Sequence, residues 1–136
     1  MNTAAKSALV FAAGNLGGLV NSVALWLFGL LGINAALGVA LAPALTASWL
    51  YPRLVWGGIW GFLFLLPLFK GQWFTKGFLL SLGPTLVQLF LVFPYQAHKG
   101  MMGLELGTLM PLLVVFYNAI WGWTAALWLK WAQADL

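Results

Sequence analysis

Four stretches of this chain, residues 8–31, 54–69, 78–95 and 109–129, contain no Asp, Glu, Lys, Arg or His. A helix needs about 20 mainly apolar residues to cross the hydrocarbon of a bilayer, and fewer where flanking residues thin it locally. A core helix of a water-soluble domain would still show a polar face, and none of the four does. Composition points the same way: 63% of residues are hydrophobic and 6% charged, against roughly 45–50% and about 25% in a soluble domain. Too few charges remain to clothe a water-facing surface, so the lipid bilayer is the expected solvent and first partner.

Nearly all the charge falls between these stretches: Arg53, then Lys70 and Lys76, then His98, Lys99 and Glu105, then Lys130 and Asp135. Trp49, Tyr51, Trp73, Tyr95, Trp128 and Trp131 gather at the same boundaries, as an interfacial aromatic belt does. The six basic residues are isolated from one another, and the net charge of +4 reflects a scarcity of acids. Nucleic-acid binding, which needs a basic cluster or stripe, is not expected. After Lys6 the chain stays apolar well past the roughly 7–15 residues of a signal-peptide core, so this segment reads as a retained span.

Residues 33–52 are ambiguous. Small residues recur every four positions around them (Gly32, Ala36, Ala40, Ala44, Ser48), and Pro43 interrupts the run. If the segment crosses, the protein has five spans, and Lys6, Arg53 and Lys99 face Lys70, Lys76 and Lys130 across the membrane, with no bias. If it enters and leaves on one side, Lys6, Lys70, Lys76 and Lys130 oppose Arg53 and Lys99, and the positive-inside rule places both termini in the cytoplasm. The sequence therefore favours an all-α polytopic membrane protein with a single domain over 1–136. It would have four transmembrane helices and a Pro-broken re-entrant or partly inserted segment at 33–52, with Asn34 capping the first half-helix; five helices are the alternative. Brevity and lean connections suit a bacterial inner membrane.

Within the spans, Gly14 with Gly18 and Gly57 with Gly61 form two GxxxG pairs, the pattern that lets helix backbones approach closely. Asn15, Asn21 and Ser22 put polar groups on the first span, which serve either as interhelical hydrogen-bond partners or as the lining of a solvated route. Gln88 is the deepest strongly polar side chain of the third span and needs a partner, for which Asn118 is the candidate. Arg53 either snorkels to head groups or pairs with Glu105 on the outer side.

Chemistry has little to work with. There is no cysteine, one histidine (His98) and two acids, Glu105 and Asp135, so no metal, cofactor or catalytic set is expected. Two functions fit: a homo-oligomeric channel or transporter for a small neutral or anionic solute, or a non-catalytic subunit of a larger membrane complex.

Overall fold

The computed structural model describes residues 1–136 and is all-helical. Helix α1 (Thr3–Leu30) is opened by Asn2, whose side chain accepts from the Ala5 N–H at 2.8 Å, closing one of the donors a helix start leaves free. Its 28 residues make a rod about 42 Å long at 1.5 Å per residue, ample for a bilayer core of about 30 Å. A single helical turn, α2 (Ile33–Ala36), is followed by a turn at 37–38 and an irregular stretch to Thr46. There Thr46 accepts from the Trp49 N–H and starts α3 (Ala47–Trp60), which tightens into a 3-10 segment at Gly61–Leu65. Pro67 forces Leu66 out of helical geometry and ends the rod.

Helix α4 (Trp73–Val87) continues without a break as a wider π-helical segment, Gln88–Gln96. Pro94 supplies no N–H to the ladder, and bonding resumes with longer reach, Ala97 N–H to Val92 O and Lys99 N–H to Phe93 O. Helix α5 (Met110–Trp131) starts with Pro111 in its first turn and carries Lys130 in its last, where a cation complements the helix dipole. Three rods are long and apolar enough to cross a membrane: Thr3–Leu30, Trp73–Gln96 and Met110–Trp131.

The rods lie in the order α3, α1, α5, α4, each antiparallel to its neighbour. One apolar cluster, including Val10, Phe64, Leu80 and Leu129, fills the end that holds both termini and the turn at 66–72. A second, including Leu25, Val39, Phe93 and Met110, fills the opposite end, under the connections 31–46 and 97–109. Between them the backbones close to glycine contact. A Cβ on Gly57 would sit 2.7 Å from Gly14 O and 3.2 Å from Gly18 Cα, so the two GxxxG pairs face each other across α1 and α3. Gly77 and Gly122 make the equivalent contact between α4 and α5.

Two features differ from the sequence reading. Residues 33–52 are neither a crossing helix nor two half-helices: Pro43 lies in the irregular stretch, and residues 47–52 belong to α3. Asn34 caps nothing, because the N-cap of α2 is Gly32, and the amide of Asn34 is used elsewhere. The stretch folds back over its end of the bundle, with Ala40 N–H bonded to Leu106 O and Val39 buried. The second difference is Lys76, expected in a connection but built into the first turn of α4 with its side chain only 4% exposed.

Candidate functional site

The polar side chains of this bundle collect where α1, α3 and α5 meet. Arg53 lies six residues into α3, and its guanidinium turns inward along α1. Nε donates to Ser22 Oγ at 2.8 Å and Nη2 to Asn21 Oδ1 at 2.6 Å. The Trp49 ring covers the same guanidinium, 4.8 Å from Cζ to ring centroid, a cation–π arrangement available because 49 and 53 are one helical turn apart. Asn21 relays the network, since its amide donates to the backbone oxygen of Tyr117 at 2.6 Å. From α5 the Tyr117 hydroxyl donates to Asn34 Oδ1 at 2.6 Å, and Asn34 Nδ2 donates to Leu41 O at 2.9 Å. Four elements are thus joined by one chain of hydrogen bonds, and Asn21, Ser22, Asn34 and Tyr117 are all buried.

Arg53 has no carboxylate partner. The expected pairing with Glu105 is absent: Glu105 is exposed, and Arg53 is engaged with neutral oxygens instead. The physical reason is the early start of α3, which carries Arg53 about 9 Å along the helix from its first residue. Nη1 has no acceptor within the chain and is not fully enclosed.

A second polar group lies between α4 and α5. Asn118 Nδ2 donates to Thr85 Oγ1 at 3.0 Å and to Gln88 Oε1 at 3.3 Å, while Thr85 itself donates to Ser81 O. Asn15 stands apart, with its amide bonded to Phe11 O one turn back on its own helix.

Two contributors carry a signal that the sequence reading passed over. Tyr117 lies well inside a span and away from the interfacial belt, a position where a phenol needs a buried partner. Trp121, one turn further along the same face, donates its indole N–H to both Gly14 O (3.1 Å) and Gly57 O (3.3 Å). It pins the glycine crossing of α1 and α3 onto α5. No group of His, Cys, Asp and Glu able to hold a metal is present. Chemically, the arrangement binds helices to one another and presents one incompletely paired cation, Arg53.

Comparison of the chain with protein-family models, with curated proteins and with solved structures finds no match.

Proposed function

We propose that this chain is a non-catalytic subunit or scaffold of a membrane assembly, a bundle crossing the bilayer four times with both termini in the cytoplasm. The observation that carries the reading is local pairing: Asn21, Asn34, Gln88 and Asn118 each meet a partner inside the protein rather than facing a shared open route. Amides that line an aqueous path exchange their bonds with water, whereas amides that hold helices together do not. The fourth crossing is α3 with its 3-10 extension, 19 residues in all. On this topology Lys6, Lys70, Lys76 and Lys130 collect on the terminal side against Arg53 and Lys99, which supports the orientation.

One observation favours a second reading, a homo-oligomeric conduit for a small neutral or anionic solute: Arg53 Nη1, which has no acceptor within the chain, could meet an anion at the mouth of a path between protomers.

Thiol labelling separates the two, because the chain has no cysteine of its own. Single cysteines replace Asn21, Gln88 and Asn118 in intact cells, with controls at Lys6, Lys99 and Ala134. For a packed subunit, these three sites react with a small membrane-impermeant reagent only after denaturation, because Asn21 is buried and Gln88 and Asn118 pair with each other between helices, and Lys6 and Ala134 label from the side opposite Lys99. Labelling of these sites in the native protein would transfer the assignment to the conduit.

A further inference from the structure

Lys76 is the one buried side-chain polar atom in the molecule with no hydrogen-bond partner. Lys76 is one of the residues around a cavity of about 290 Å³ at the terminal end of the bundle, together with Lys70, Gln72, Trp73, Lys130 and Asp135, with its Nζ enclosed just behind the wall. A buried cation without a partner is among the most expensive groups a fold can carry. Yet the packing holds it in place, since Gly77 beside it is locked against Gly122.

The cavity has three further properties of an anion receptor. Lys70 and Lys130 are two further basic residues of its wall. The start of α4 opens on it, and Gln72, the N-cap, makes no side-chain capping bond, so first-turn N–H groups are available where the helix dipole favours negative charge. Asp135 is the only acidic side chain on the wall, and it makes no hydrogen bond to Lys76. Phe64, Ala126 and Leu129 give the cavity an apolar side, which suits a ligand with a hydrocarbon portion.

We infer that this cavity binds a phosphate group, with Lys76 as the buried contact, Lys70 and Lys130 as flanking cations and the α4 N-terminus as the backbone donor. The phosphate belongs either to an anionic phospholipid head group at the membrane surface or to a free phosphate from the adjoining water. The inference is independent of the proposed subunit role, since it concerns different residues at another level of the bundle.

The test uses the full chain in lipid nanodiscs and follows thermal unfolding and phosphate-probe binding. Wild type is compared with Lys76→Met, which keeps the side-chain volume and removes the charge, and with Lys70→Gln. Two probes are used: inorganic phosphate added to phosphatidylcholine discs, and discs containing phosphatidylglycerol without added phosphate. Stabilisation of wild type by phosphatidylglycerol alone assigns the site to a lipid head group, and stabilisation by inorganic phosphate assigns it to a free anion. In either case Lys76→Met is expected to weaken the effect about tenfold or more, as loss of a charge-assisted hydrogen bond does; Lys70→Gln weakens it less. With no ligand present, Lys76→Met should unfold at a higher temperature than wild type, which shows that the variant folds. Equal responses of wild type and Lys76→Met to both probes, or no response in either, would overturn the inference.

Discussion

Arg53 Nη2 and Asn21 Oδ1 lie 2.6 Å apart, joining α3 to α1 through an amide that also holds the backbone of α5. Substituting Asn21→Leu removes the acceptor from a guanidinium and the donor from Tyr117 O together. The expected loss is about 1–3 kcal/mol, measured by unfolding in detergent micelles. Arg53→Lys should recover only part of the Arg53→Met loss, because one ammonium cannot reproduce the two-nitrogen contact with Asn21 and Ser22. A double-mutant cycle for Asn21→Leu and Arg53→Met that proves additive would show that the pair is not coupled.

The crossing of α1 and α3 should tolerate an added side chain poorly. At Gly57 an added Cβ meets the backbone of Gly14 and Gly18, whereas at Gly83 its nearest neighbour is the Cδ1 end of Leu63 at 3.1 Å. A flexible side chain can move and a helix backbone cannot. Gly57→Ala is therefore expected to cost about 2 kcal/mol or more, and Gly83→Ala less than about 1 kcal/mol, on the scale of overpacked cores. Similar losses at both positions would mean that the helices can separate to admit a methyl group.

Helix positions and the small-residue contacts were legible because they depend on local pattern: uncharged runs, and glycines four apart on one stripe. Tertiary pairing was not. Lys76 sits in KGQWFTKG, which reads as a polar connection, and only the contact of Gly77 with Gly122 shows that α4 begins early enough to bury it. Arg53 was expected either to snorkel to head groups or to pair with Glu105, yet it found neutral oxygens, because α3 begins at Ala47 and carries the guanidinium down to the level of Asn21. The ladder of small residues at 32–48 suggested a helix; the chain leaves helical geometry after Ala36, and Thr46 caps a new helix only just before the last member, Ser48. Gln88 and Asn118 could be paired from sequence because each is an isolated amide well inside a span.

Those two amides are not equal partners. Asn118 donates to Thr85 as well as Gln88, with the shorter distance to Thr85. Gln88→Leu should cost little, because Asn118 keeps one acceptor, while Asn118→Leu should cost about 1–2 kcal/mol, within the range for interhelical hydrogen bonds in membranes. Unfolding of the single variants and of the double variant measures this. The double variant should be no less stable than Asn118→Leu alone. A larger loss for Gln88→Leu than for Asn118→Leu would place the main bond on Gln88 and contradict the geometry.

The Tyr117 hydroxyl offers the means to loosen one element without unfolding the rest. Its bond to Asn34 is the side-chain link from α5 to the folded-back stretch 37–46, which Asn34 also holds through Leu41 O. Tyr117→Phe keeps the ring against Phe28 and Phe116 and removes only the donor, leaving a buried amide oxygen without that partner, at a cost of about 1–3 kcal/mol. Much of that cost should appear locally, because segments with few buried contacts open independently of the bundle. Hydrogen exchange should therefore speed up at Val39 and Ala40, whose N–H groups bond to Asn34 O and Leu106 O, while residues of α1 and α5 near Trp121 keep their protection. If exchange rises equally in both places, Tyr117 supports the whole bundle, and the stretch over its end is not a separately opening unit.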